Sequence, residues 1–471
     1  MAEGARHEPL MNTRPQLRIP PFTGRVGAHG TNTVALMSIT RRHLLASSGA
    51  ALGAAALGGA GVASAANPDT ENNGEQQTDA SSRKLPPPSE SGIDHVVVVM
   101  MENRSFDHYL GWLPGANGRQ AGLSYLDRYG ARHATHHLRD YQGCAHPDPD
   151  HSFEGGRIEL NNGRCDGWLL AGQNDDFAIG YYTDADQAFY RHAARDWTVC
   201  DNYFSAIMAE TYPNRFYQHA AQTDRTHNSS TTSTLPTIWD RLAAAGRSRG
   251  YYFYDVPFTA LWGTKYLDIS HPYPQFLAQA AAGTLPAVSY LDPKFLDEAG
   301  GSSADDHPHA DIRAGQAFLD QVYDAVVTGP AWERTVLVIN YDEWGGFYDH
   351  VAPTTAPDAT PEWGLRGFRV PCLVISPLAR RGHVAHNTYD HTSVLKLIEW
   401  RWNLAPLTPR DAAARNLAEV LDFSRPPNLA APRYDVPPFV GLPCPVGGFA
   451  DYEDWRALRD VALRSGWSLP A

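Results

Sequence analysis

Apolar residues in this chain gather in short, nearly unbroken runs rather than in alternation. The clearest are His95–Met101, Ala287–Leu291, Thr335–Tyr341 and Pro371–Ser376. Continuous apolar character over so few residues predicts strands covered on both faces, as in a parallel sheet. Between and after them the spacing turns helical, over Leu235–Gly246, Asp311–Val327 and Thr392–Trp402. The last begins behind Asp390-His391, with Asp390 or Thr392 available as N-cap. The alternation predicts an α/β fold, a doubly wound and mostly parallel sheet with helices on both faces. The stretches Arg119–Asp196 and Asn403–Ser468 are irregular and rich in Pro, Gly and aromatic residues, and read as long loop insertions over the sheet edge.

The N-terminal part has a different character. Thr40-Arg41-Arg42-His43-Leu44-Leu45 leads into an Ala/Gly/Leu run to Val62 and then Ala63-Ser64-Ala65-Ala66. A paired arginine, a mildly apolar core and a small-residue cleavage pattern predict a twin-arginine signal peptide over 37–66. The run is too rich in Gly and Ala to favour the alternative, a membrane-spanning helix. Residues 1–36 then read as an extension ahead of a start at Met37, and 67–90, polar and Pro/Ser-rich, as a disordered linker. The remainder, 91–471, is expected to be one catalytic domain, secreted or held at the cell surface or in the periplasm. No other segment resembles a transmembrane span.

Charge narrows the partners. The net charge is −13 and only four of the 39 basic residues are lysines, without any basic cluster, which argues against nucleic acid as a partner. The five cysteines, Cys144, Cys165, Cys200, Cys372 and Cys444, show no CxxC spacing, so neither a zinc ribbon nor a redox dithiol is indicated. One or two disulfides are compatible with export, and Cys372, inside a strand-like run, reads as a buried thiol.

The chemistry concentrates at strand ends, where ligands bind in open parallel sheets. The first run ends in Glu102-Asn103 and the third in Asp342-Glu343, followed by Gly345-Gly346. A lone acid there is usually a solvated carboxylate. Two polar pairs closing two apolar strands predict an oxygen-rich metal site suited to Mg, Ca, Mn or Fe, with Zn also admissible. A third element is Thr211-Tyr212-Pro213-Asn214-Arg215. Pro213 suits a first helical turn, with Thr211 just ahead, near the N-cap, where its hydroxyl and orphan backbone N–H groups could hold a phosphoryl oxygen. Plain capping explains that threonine equally well, unless a metal lowers its pKa and makes it a nucleophile. Histidines supply the rest: His146 and His151, His307 and His309, His350, and His391. The aromatic groups Tyr181-Tyr182, Tyr251–Tyr254 and Trp262 offer either core or a cation–π wall for a choline headgroup.

Five motifs in order carry a resemblance: MENRSFDHYLG (Met101–Gly111), TYPNRFY (Thr211–Tyr217), DDHPHADIRAGQAFL (Asp305–Leu319), YDEWGGFYDHV (Tyr341–Val351) and DHTSVLKLIEWRWNL (Asp390–Leu404). Together they resemble the bacterial phosphoesterase family of phosphatidylcholine-cleaving phospholipases C and a respiratory-burst-inhibiting acid phosphatase, a branch of the alkaline phosphatase superfamily. The resemblance implies one divalent or transition metal ion held by Glu102, Asn103, Thr211, Asp342 and Glu343. It implies Thr211 as the catalytic nucleophile, and His151 and His307 as residues that contact the substrate phosphate, with Asn103 beside them. The expected activity is phospholipase C-type hydrolysis of phosphatidylcholine-like phosphodiesters through a phospho-threonine intermediate, with transient contact at a membrane surface. The alternative is an acid phosphatase acting on small phosphomonoesters. That member carries adjacent histidines after its nucleophile, whereas the only such pair here, His136-His137, precedes Thr211.

Overall fold

The computed structural model describes residues 84–445 and 455–470. The extension at 1–36, the signal at 37–66 and most of the linker lie outside the described residues. The end of the linker does not: Leu85 packs against the core and Pro88–Glu90 closes a turn, so ordered chain begins ahead of Ser91. One apolar side chain seats a stretch whose overall composition read as disordered.

The central sheet holds β1 (His95–Met101), β2 (Thr198–Cys200), β3 (Arg249–Phe253), β4 (Ser270–Pro272), β5 (Val288–Asp292), β6 (Thr335–Tyr341), β7 (Cys372–Ile375) and β8 (His383–Ala385). Their spatial order is β8-β2-β7-β6-β1-β5-β3-β4. Every neighbouring pair is parallel except the two that β7 makes, with β6 and β2. The expected α/β architecture is present, with one reversed strand. β2, β4 and β8 are only three residues each, too short for an apolar run to announce them.

Side-chain alternation shows that both faces are covered. Tyr251 packs its ring on His219 of α1 (Thr211–Ala220), while the next residue, Tyr252, packs on Phe276 of α3 (Tyr273–Ala282). α2 (Ile238–Ala244) falls between these two in the chain and packs against α1 and β3, and α4 (Ile312–Thr328) packs beside α3. α5 (His391–Trp402) lies against α1, with Asp390 as its N-cap, accepting from the Thr392 N–H at 2.9 Å.

The fold decides one open reading and corrects one expectation. Tyr182, Tyr251, Tyr252 and Trp262 are core side chains, so they form no headgroup wall; β3 lies inside the sheet, and both of its faces are covered. The segment 403–468 is not wholly irregular either. α6 (Trp455–Arg464) buries Trp455, Leu458 and Ala462, a single stripe at helical spacing. Trp455 stacks on Phe295 with centroids 3.9 Å apart. Cys144 and Cys444 form a disulfide; Cys165, Cys200 and Cys372 are buried thiols. Among the described residues, no helix is long and apolar enough to cross a membrane.

Candidate active site

β1 and β6 run parallel in a register that pairs Met101 with Tyr341, so the residues that follow, Glu102 and Asp342, leave the sheet level with each other. The Asp342 N–H donates to Met101 O at 3.1 Å and the Glu102 N–H to Asp305 O at 2.8 Å, which fixes both exits. Glu102, Asp342 and Glu343 are fully buried, and one carboxylate oxygen from each falls within 4.8 Å of the others. Asn103 is equally buried, and neither its Oδ1 nor its Nδ2 makes a hydrogen bond. The chain then turns away at Gly345, whose φ is +64° and whose missing Cβ would lie 2.1 Å from Asn103 O and 2.7 Å from Asn103 Oδ1. Only glycine lets that backbone approach the amide so closely.

Thr211 is the first helical residue of α1 rather than the residue ahead of it; Glu210 is the N-cap. Its hydroxyl does not cap the helix. It donates to Glu102 Oε2 at 3.0 Å. Nor is the helix end an open row of donors, as the sequence suggested, because the Tyr212 N–H is taken by Asn228 Oδ1 at 2.8 Å and Pro213 has none. One turn on, Arg215 lies on the same face of α1. It donates to Glu102 Oε1 through Nε at 3.0 Å and Nη2 at 2.6 Å, to Asp292 Oδ1 at 2.9 Å, and stands 3.4 Å from Asp342 Oδ2. Phe295 covers the guanidinium at 4.7 Å.

The histidines flank this cluster. His151 Nδ1 donates to Pro149 O at 2.7 Å, and its Nε2 is 4.0 Å from Glu343 Oε1. The His307 ring stands 6.1 Å from that of His151, and its Nε2 is 3.6 Å from Asp148 Oδ2. His350 and His391 belong elsewhere. His350 Nδ1 bonds Asp107 Oδ2 at 2.5 Å in a network with Asp349 and Arg369, and His391 Nε2 donates to Tyr341 O at 3.0 Å.

Burial sets the electrostatics. Burial first, then the neighbouring Glu102 charge, pushes Asp342 well above the ordinary carboxylate range. Burial lifts Asp292 to about 7 against the opposing pull of Arg215. Asp342 stays high even with Arg215 beside it, and such crowding of acids, next to an amide with no partner, is costly without a further cation. The chemistry of the donors fits an oxygen-liking metal ion: the Glu102, Asp342 and Glu343 carboxylates lie together, the Thr211 hydroxyl is hydrogen-bonded to Glu102, and the next residue, Asn103, has a buried amide oxygen without a hydrogen bond.

Glu102, Asn103, Thr211, Asp342, Glu343, His151 and His307, the residues expected from the sequence, lie at one end of the sheet. Arg215, Asp292 and Asp148 join them without having been expected. Arg215 was legible from its spacing of four residues after Thr211. Asp292 closes β5 as Glu102 follows β1, and strand-end position was its signal.

A hydroxyl held against carboxylates at the tips of a parallel sheet is the arrangement of a hydrolase of phosphoric esters. The chain belongs to the phosphoesterase family, whose model matches residues 93–405. Phospholipase C A of Mycobacterium tuberculosis is 31% identical over 435 residues, covering 74% of this chain and 81% of the relative. Phospholipase C B of the same species is 32% identical over 433 residues, covering 74% and 82%. Non-specific phospholipase C6 of Arabidopsis thaliana is 31% identical over 394 residues, covering 74% and 75%. Among solved structures, the lipoteichoic acid synthase LtaP of Listeria monocytogenes overlaps 83% of this chain and 94% of its own, with 8% identity and a TM-score of 0.39, too loose to bear on function.

Proposed function

We propose that this protein is an exported, metal-dependent phosphodiesterase of the phospholipase C type, cleaving phosphatidylcholine-like lipids through a phosphorylated Thr211. The observation that carries the reading is the Thr211 hydroxyl, buried and held 3.0 Å from Glu102 Oε2 inside the carboxylate cluster rather than capping its own helix. The names of the relatives support the substrate class. The Cys144–Cys444 disulfide supports an oxidising compartment and hence the signal-peptide reading.

In this mechanism Thr211 Oγ attacks phosphorus in line with the departing alcohol. Glu102 Oε2 orients that oxygen and accepts its proton through the existing hydrogen bond, and Arg215 fixes Glu102 from its other oxygen. Glu102, Asn103, Asp342 and Glu343, with Thr211, would hold the metal ion, which when bound supplies Lewis-acid stabilisation of charge on the phosphoryl oxygens. The Asn103 amide, with no partner in the protein, is available to those oxygens, as are His151 and His307. Water then hydrolyses the phospho-threonine. Transient contact with a membrane surface brings lipid substrate to the site.

The test is a substrate panel of p-nitrophenyl phosphate, p-nitrophenylphosphorylcholine and phosphatidylcholine, each with and without chelator. The proposal expects the two diesters to be cleaved, the monoester to be poor, and chelator to abolish turnover. Preferential cleavage of the monoester would move the assignment to an acid phosphatase.

A further inference from the structure

Asp148 is a residue to which nothing above gives a role, and its position is unusual. It is buried, 5% exposed, and neither carboxylate oxygen makes a hydrogen bond. Burying a carboxyl group without donors is costly, and such orphans persist where function requires them. The facing group is an orphan too: neither ring nitrogen of His307, itself buried, makes a hydrogen bond, and its Nε2 is 3.6 Å from Asp148 Oδ2. We propose that Asp148 and His307 act as one carboxyl–imidazole unit that holds a single proton and delivers it to the oxygen of the departing alcohol. This rests on the phosphoesterase reading of Thr211.

Three observations support the assignment. Both partners are held from outside the pair. The His307 N–H donates to Asp305 Oδ1 at 3.0 Å, and the Asp148 loop is anchored by the Cys144–Cys444 disulfide and by the ring of His309, which meets His146 O at 3.0 Å. The location suits a leaving group. Thr211 meets the cluster at Glu102, whereas His151 Nε2 stands 4.0 Å from Glu343 and the His307 ring 6.1 Å from that of His151, and in-line displacement places the leaving oxygen across from the nucleophile. Burial also disfavours a charged pair. It pushes Asp148 up and, with the nearby His151, His309 and Arg104, holds His307 well below the usual imidazole range. One proton shared across the gap satisfies both groups.

Thr211 Oγ bonds to phosphorus as its proton passes along the existing hydrogen bond to Glu102 Oε2, the bond from phosphorus to the alcohol oxygen breaks, and its electron pair stays on that oxygen. The oxygen takes the shared proton and leaves as a neutral alcohol, with a carboxylate beside a neutral imidazole left behind. When water later attacks the phospho-threonine, its hydroxyl stays on phosphorus, its proton refills the pair through His307, and the departing Thr211 oxygen takes back the proton held by Glu102. His307 is the catalytic residue and Asp148 positions it and fixes its tautomer.

The experiment compares Asp148→Asn with wild type on two esters sharing one headgroup. p-Nitrophenolate departs without a proton, whereas the alkoxide from a short-chain phosphatidylcholine needs one. Expected is a loss in kcat/KM of about 100-fold or more on the lipid, the usual scale of general-acid catalysis. The loss on p-nitrophenylphosphorylcholine should be smaller by about tenfold or more. His307→Gln should show the same leaving-group bias, and the double variant should be little worse than either single one. Should Asp148→Asn fail to fold, His307→Gln alone carries the comparison. Equal losses on both esters overturn the proposal. So does loss of bound metal from Asp148→Asn, which would make Asp148, His151 and His307 a metal site. A wild-type enzyme that cleaves neither ester overturns the function reading, and this inference with it.

Discussion

Arg215 is a cation built into a site that otherwise collects acids, and removing it is the most direct test of the site's electrostatics. Its guanidinium lies 2.6 Å from Glu102, 2.9 Å from Asp292 and 3.4 Å from Asp342, all buried. At an effective dielectric of about 20, each such contact is a gross attraction of about 5 kcal/mol. Most of that is offset by the cost of taking the charges out of water. The net loss on deleting one partner of a buried cluster is about 3–5 kcal/mol, because the acids left behind repel one another unscreened. Arg215→Met keeps the aliphatic stem under Phe295 and removes only the charge. In chelator, denaturant unfolding of Arg215→Met should give a stability lower than wild type by that amount. Adding a divalent ion should then recover more stability in the variant than in wild type, since the ion has more negative charge to offset. Stability within about 1 kcal/mol of wild type in chelator, the scale of an exposed pair, would refute the reasoning.

Other outcomes follow from the same structure. Gly345→Ala places a methyl against Asn103 O in a left-handed backbone, and should reduce both bound metal and kcat by about tenfold or more, read by elemental analysis beside activity. Asp342→Asn should lower metal content and turnover together; unchanged metal per chain would contradict its role as a ligand. The Asp390 carboxyl is buried, which raises its pKa, yet Arg410 and Arg366 outweigh burial and hold it well below the ordinary carboxylate range. It therefore stabilises the fold above about pH 4, its unfolded range, and that contribution fades as pH falls through the lower folded value. Asp390→Ala should cost about 3–5 kcal/mol at neutral pH and flatten the acid limb of stability against pH. Replacing Cys144 and Cys444 together by Ser should cost about 2–4 kcal/mol, measured by denaturant unfolding under oxidising conditions.

Much of this molecule is legible in its sequence, because the strands that matter most are buried on both faces. Val96–Met101 is an unbroken apolar run and Val336–Tyr341 is broken only at Asn340, and the polar pairs that follow them mark the site at once. What escaped notice is encoded less locally. β2 and β8 owe their strand conformation to neighbours rather than to any pattern of their own, pairing with each other over Thr198–Cys200 and His383–Ala385. α6 sits inside a Pro/Gly-rich stretch whose composition hides its stripe of Trp455, Leu458 and Ala462. In the site, Glu102 and Asp342 were legible because each ends an apolar run. Asp148 lies in a loop between two prolines, and nothing short of the fold brings it to His307. The aromatic run Tyr251–Phe253 left core and ligand cage open because both have the same composition, and the fold decides for core.

The central claim is that Thr211 carries the phosphoryl group. Rapid quenching of the metal-loaded enzyme during turnover of p-nitrophenylphosphorylcholine, followed by mass spectrometry of the peptide that spans α1, tests it directly. The account predicts a phosphoryl group on Thr211 that appears with the first turnover, and none in Thr211→Ala, whose kcat should fall by about a thousandfold or more. Product release in a single turnover with Thr211 unmodified at every time point, or a Thr211→Ala enzyme that keeps about a tenth of its rate, would contradict it.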